Sequence, residues 1–237
     1  MQYWYITGTS SGLGKAIAEN ILMAVDVVVV GVSRRQTIQH NNYIHFSFDL
    51  SDATHAEAFH FAPHDNASKI ILINNAGSLG NVKYTGELEA ENIRKTYLLN
   101  IVTPHILINN FIKTYKHHPA EKVIVNVSSG AASSVYDGWS VYAATKAAMD
   151  RMTLCVAKEI ELSKTNFKIF SIAPGVMDTD MQVEIRNSEE NNFSRKNKFV
   201  DLKEKQQLFD PGLVAKKIIE IILQSKEQAE TIQRIQL

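Results

Sequence analysis

The chain has 237 residues, 45% of them hydrophobic and 21% charged, with 25 basic and 25 acidic side chains. That composition suits a globular protein with a sizeable core, and the zero charge balance provides no global field for nucleic acid or an anionic membrane. The single cysteine, Cys155, excludes an intramolecular disulfide and a cysteine metal cluster, so no metal site is expected.

The apolar neighbours of Cys155 place it in the core. No run of about 18 apolar residues is present, and a strand-like segment begins almost at the first position. Neither a membrane span nor a signal peptide is expected, and a cytoplasmic location follows.

Residues 2–6 form an aromatic and β-branched run, which reads as a buried strand. It leads into Thr7-Gly-Thr-Ser-Ser-Gly-Leu-Gly14 and then a helix over about 13–23. Strand, glycine-rich turn and helix together aim free backbone N–H groups at a phosphate. The same residues would also make a tight turn capped by Ser10 or Ser11. The nearly all-valine stretch 25–32 reads as a central parallel strand and ends in Ser33-Arg-Arg35. No acid occurs over 27–48 to bind a ribose 2′-hydroxyl. Arg34 and Arg35 instead suit a 2′-phosphate, which favours NADP(H) over NAD(H).

A third strand is expected over 43–48, followed by Asp49-Leu50 and a short helix to about 61 with Ser51 as its N-cap. Asp49 would cap as well, or lie against an adenine ring. A fourth strand over 69–73 ends in Asn74-Asn-Ala-Gly77, small enough for a cofactor to cross the sheet edge. A long helical pattern covers 87–115, with Asn100 among apolar residues and Pro104 predicting a kink nearby. Asn100 must bond something buried, either a neighbouring helix or a water held for proton relay.

The fifth strand, 122–127, ends in Ser128 and Ser129. Gly138 and Trp139 then precede a helix over about 140–162 that carries Tyr142 and Lys146. Four residues apart, these two share one helix face, and an ammonium beside a phenol lowers the phenol's pKa. A sixth strand over 167–172 stops at Ala173-Pro-Gly175. Residues 176–209 are polar, with few core candidates, and read as a lid over the cleft. Asp210 and Pro211 start a helix to about 223, and 231–235 adds an edge strand. The whole predicts one α/β domain over residues 1–237, a doubly wound Rossmann-type fold with a mostly parallel sheet of six or seven strands. Every polar strand end named here would then lie on one sheet edge.

In order and spacing these motifs resemble the short-chain dehydrogenase/reductase family over essentially the whole chain. The matching pieces are the Thr7–Gly14 turn, Asp49-Leu50, Asn74-Asn-Ala-Gly77, Asn100, Val127-Ser-Ser129, Tyr142-x-x-x-Lys146 and Pro174-Gly175. The resemblance implies an NAD(P)-dependent oxidoreductase, and with Arg34 and Arg35 the expectation is an NADPH-dependent carbonyl reductase. Tyr142 would be the acid/base, Ser129 the holder of the substrate oxygen, Lys146 the ribose ligand and pKa modulator, and Asn100 the end of the relay. Trp139 would contact substrate beside Ser129 and Tyr142. Gly8, Ser10, Ser11, Gly12, Leu13, Gly14, Arg34, Arg35, Asp49, Leu50, Asn75, Ala76, Gly77, Tyr142, Lys146, Pro174, Gly175, Val176 and Thr179 would hold the cofactor. Family likeness also implies a homodimer or homotetramer acting on a small-molecule carbonyl.

Gly138-Trp-x-x-Tyr142 and Ala173-Pro-Gly-Val-Met-Asp-Thr-Asp-Met-Gln182 narrow the likeness to the sepiapterin reductase and bacterial benzil reductase group. Residues 232–237 lack the acid that this likeness implies for a pterin, so diketones and other apolar carbonyls fit better. An NAD-dependent alcohol dehydrogenase and a non-catalytic NADP-binding sensor or scaffold stand as alternatives.

Overall fold

The computed structural model describes residues 1–224 and 229–236. Seven parallel strands form one sheet: β1 (Gln2–Thr7), β2 (Val27–Ser33), β3 (Tyr43–Ser47), β4 (Lys69–Asn74), β5 (Glu121–Val127), β6 (Phe167–Ala173) and β7 (Ile232–Arg234). Their spatial order is β3-β2-β1-β4-β5-β6-β7. The order reverses direction between β1 and β4, the switch point where such sheets open a crevice at their carboxyl edge. Leu237, the last residue of the C-terminal stretch without an acid, and 225–228 within the expected 1–237 domain lie outside the described residues.

Alternate side chains of each strand pack on opposite faces. Trp4 and Ile6 face α1 (Gly12–Ile21) and α8 (Pro211–Gln224), where Ile17, Val214 and Ile218 complete the core. Tyr5 faces the other way, towards Leu107 and Phe111 of α4 (Thr103–Tyr115) and Met149 of α5 (Ser140–Ser163). No helix among the described residues is long and apolar enough to cross a membrane.

Several elements differ from the sequence reading. The helix after β3, α2, spans only Ala53–Ala58. Asp52, not Ser51, is its N-cap and accepts from the Thr54 N–H at 2.9 Å, while the Ser51 hydroxyl donates back to Asp49. Phe59 and Phe61 are both buried with His60 exposed between them, a period of two that ends the helix early. The pattern over 87–115 is divided into α3 (Ala90–Tyr97), a π-helical turn (Leu98–Val102) and α4. Pro104 has no N–H to return to the carbonyl four residues back, and the extra residue of the π turn absorbs the mismatch. Cys155 is exposed, not in the core. It lies off the α5 stripe of Met149, Met152, Thr153, Val156 and Ile160 that packs on the sheet.

The segment expected to have few core residues holds two helices, α6 (Asp180–Arg186) and α7 (Lys196–Glu204), and buries Ile185, Phe193 and Phe199. Its ends are pinned together: Met177 pairs with Phe209, and a Cβ on Gly175 would meet the Phe209 ring at 2.6 Å.

Gly31 in β2 leaves room for the hydroxyl of Tyr43, which would lie 2.1 Å from a Cβ there. That hydroxyl is held by Thr9 Oγ1 at 2.8 Å and His45 Nδ1 at 3.2 Å, so it has little freedom to retreat. Gly31→Ala is therefore expected to cost about 1–3 kcal/mol in urea unfolding. Adding Tyr43→Phe should recover part of that loss, whereas an unchanged midpoint in the single variant would contradict the close approach.

Candidate active site

The carboxyl edge of the sheet opens into a cleft of about 750 Å³. Its floor is stitched across the switch point. Thr7 Oγ1 accepts from the N–H groups of Asn75 and Ala76 at 2.9 and 3.0 Å, and Asn75 Nδ2 donates to Thr7 O at 3.0 Å. Gly14 cannot carry a side chain, because a Cβ would meet Asn75 Nδ2 at 2.3 Å and Gly8 O at 2.4 Å. The Gly-rich turn thus packs against the loop after β4 with its first glycine, Gly8, at φ +75°.

Gly8, Ser10, Ser11, Gly12 and Leu13 line one end of the cleft, beside Arg34, Arg35, Asp49 and Leu50. Ser11 occupies the N-cap of α1 but makes no side-chain cap bond. The helix therefore presents backbone N–H groups that its own cap residue does not satisfy, a fit for the phosphates of a dinucleotide. Thr179 faces Gly12 across the opening, with its Cγ2 3.5 Å from the position of a Gly12 Cβ. The Asp49 carboxyl lies below its ordinary range, held first by the Ser51 hydroxyl and N–H and also by the nearby Arg34 charge.

Asn75, Ala76, Gly77, Ser129, Trp139, Tyr142, Lys146, Pro174, Gly175, Val176 and Thr179 line the remainder. Of the residues assigned from the sequence to cofactor, substrate or catalysis, Gly14 and Asn100 do not. Asn100 is fully buried behind the cleft. Its Oδ1 accepts from Ser78 N–H at 2.9 Å, and its Nδ2 donates to Ser78 O at 2.8 Å and Thr145 Oγ1 at 3.1 Å. The side chain thus ties the loop after β4 to α5. Asn100 Oδ1 and Lys146 Nζ both approach Gly77, at 3.4 and 3.6 Å from where a Cβ would stand.

The side chains of Tyr142 and Ser129 line the same part of the cleft, and the Ser129 hydroxyl lies near enough to favour the ionised phenol. Ser129 also accepts from the Ala131 N–H at 3.2 Å, which fixes it at the start of a short 3₁₀ turn. Lys146 Nζ donates to Val127 O at 2.8 Å and lies 5.7 Å from the Tyr142 ring centre. Burial raises the Tyr142 phenol, and the Ser129 hydroxyl only partly opposes that rise. This corrects the expectation of a phenol depressed by Lys146: removal from water is the leading cause of the shift, and the ammonium is anchored on the strand carbonyl. Burial also brings Lys146 down to about 8, against a smaller upward pull from Asp150.

Apart from Trp139, sequence reasoning misses the far end of the cleft. Tyr136, Trp139 and Phe199 line it and cluster with Phe193, with Trp139 stacked on Phe193 at 5.0 Å and edge-on to Tyr142 at 5.8 Å. Phe193 and Phe199 lie more than 50 residues from Trp139 in a polar stretch, and only their size among hydrophilic neighbours marks them.

A dinucleotide fold with a Ser–Tyr–Lys set at its carboxyl edge defines a class of oxidoreductase acting on carbonyl or alcohol groups. The family model described as short chain dehydrogenase matches residues 2–190, and the chain belongs to that family, whose members bind nicotinamide cofactors. It is 37% identical to a benzil reductase ((S)-benzoin forming) of Bacillus cereus, over 92% of both chains. It is 31% identical to a sepiapterin reductase of Xenopus tropicalis, over 66% of this chain and 59% of that one. The crystal structure of the KRED1-Pglu enzyme superposes with a TM-score of 0.84 at 26% identity, covering 98% of this chain and all of that one.

Lys146 provides a pH test. Its folded pKa near 8 lies below the ordinary lysine value of 10.5. Between those values the unfolded chain binds the extra proton, so this group makes stability rise with pH from about 8 towards 10. Lys146→Met should raise the melting temperature at pH 7 and flatten that rise. Identical pH–stability curves for the two proteins would contradict a strained buried ammonium.

Proposed function

We propose that this protein is an NADPH-dependent carbonyl reductase acting on a ketone or diketone. The observation that carries the reading is the convergence of Ser129, Tyr142 and, one turn along α5, Lys146 on one cleft edged by the Gly-rich turn. When bound along that edge, the reduced dinucleotide supplies a hydride to the carbonyl carbon. Tyr142 gives its proton to the substrate oxygen, and Ser129 holds that oxygen by a hydrogen bond. Lys146 binds the nicotinamide ribose and returns a proton towards Tyr142, with Asn100 bracing the loop beside it and completing the relay. Arg34 and Arg35, both exposed at the cleft end, suit a 2′-phosphate.

The substrate class draws support from the Bacillus benzil reductase and from the aromatic far wall. Leu79, Val176, Met181 and Ile185 continue that apolar lining. The same proposal covers one domain over residues 1–237, a homodimer or homotetramer, and a cytoplasmic location.

Tyr142→Phe should reduce NADPH-dependent turnover of benzil by about 10²–10⁴-fold while NADPH titration still shows binding. Near-normal activity would remove Tyr142 as proton donor. Replacing Arg34 and Arg35 by alanine should lower kcat/KM for NADPH by about ten-fold or more and leave the NADH value in place. A wild-type preference for NADH would overturn the 2′-phosphate reading.

A further inference from the structure

Away from the reacting groups, three segments distant in sequence meet on one carboxylate. Asp137 lies in the loop that leads into α5. Its Oδ2 accepts from the Ser194 backbone N–H at 2.7 Å and from the Tyr84 hydroxyl at 3.1 Å. Its Oδ1 accepts from the Ser194 hydroxyl at 2.9 Å. Led by the Ser194 N–H, these bonds hold the carboxyl below the ordinary aspartate range, so it is ionised at neutral pH.

Neighbouring contacts join the same two segments. The Arg195 guanidinium lies 5.0 Å over the Tyr136 ring. Phe193 stacks on Trp139 with 14° between the rings. Gly138, at φ +72°, lies so near Asn192 that a Cβ would be 2.1 Å from its carbonyl oxygen. Residues 136–139 and 192–195 therefore run against each other, and none of these groups takes part in hydride or proton transfer.

We propose that Asp137 is a positioning residue for the carbonyl substrate: it clasps residues 192–195 onto the 136–139 loop and so fixes Trp139, backed by Phe193, as the wall of the substrate end. The physical reason is directionality. Stacked rings slide over one another at little cost, whereas charge-assisted hydrogen bonds to one carboxylate define a register. A diaryl diketone, filling the space in front of Trp139, needs that wall in one place. The cofactor end, built from the Gly-rich turn and the arginine loop, does not. This inference rests on the carbonyl reductase reading for its substrate, but its structural half is testable without turnover.

The chain has two tryptophans, and Trp4 is fully buried in the sheet, so acrylamide quenching of fluorescence reports changes at Trp139. Asp137→Asn should increase the quenching and raise KM for benzil by about ten-fold, with the Kd for NADPH unchanged. Ser194→Ala, which deletes a single bond, should shift both readings in the same direction by less, and it serves if Asp137→Asn does not fold. Quenching equal to wild type overturns the clasp. Raised quenching with an unaltered KM for benzil overturns the positioning role. Failure of the wild-type protein to reduce benzil with NADPH would instead sink the functional reading, and the quenching would still decide the clasp.

Discussion

The active-site geometry depends on a buried ammonium resting on a strand carbonyl. Lys146 Nζ donates to Val127 O at the end of β5, immediately before the two serines. Removing that charge from water is costly, and only a close, directed partner makes it tolerable. The contact therefore constrains how α5 lies against the sheet, and with it where Tyr142 meets Ser129. A second polar seam runs through the core beneath it. Asn74 donates to Asn126, which donates to Thr153 of α5, each at 2.9 Å. On the other side of the lysine, Ser171 of β6 donates to Asp150 at 2.6 Å. The helix that carries the reacting groups is thus registered on β5 and β6 by directional bonds, with Asn126 linked on to β4, where apolar packing alone would let it slide.

The two ends of the cleft are built differently, and this governs what can be read from the sequence. The cofactor end is made from backbone: a glycine-rich turn, uncapped helix N–H groups, and close approaches that only glycine permits. Such a surface imposes a local spacing, so Gly8, Gly12 and Gly14 are legible without a structure. Tyr142 and Lys146 are legible for the same reason, since four residues on a helix give one face. The strands of apolar runs also follow directly, because a sheet covered on both faces needs continuous hydrophobic stretches.

The far end is made from side chains brought together by tertiary packing. Phe193 and Phe199 lie in a charged stretch with weak helical periodicity, yet they complete the wall behind Trp139. No local rule links residue 137 to residue 194. The π turn at Leu98–Val102 is half legible: Pro104 marks a break near Asn100, but the form of that break follows only once Asn100 is seen to bond Ser78. The short α2 and the exposed Cys155 show the same limit: each depends on which side of the element the core occupies.

Burial also sets the proton chemistry, and it acts on the two key groups in opposite senses. It raises the Tyr142 phenol and lowers the Lys146 ammonium to about 8. The tyrosine is therefore protonated at neutral pH, which is the form that the proposed reduction consumes. The lysine lies close enough to neutrality to exchange a proton with its surroundings after each transfer. The same desolvation thus acts on both members of the Tyr142–Lys146 pair, favouring the neutral phenol on one and opposing the charged ammonium on the other.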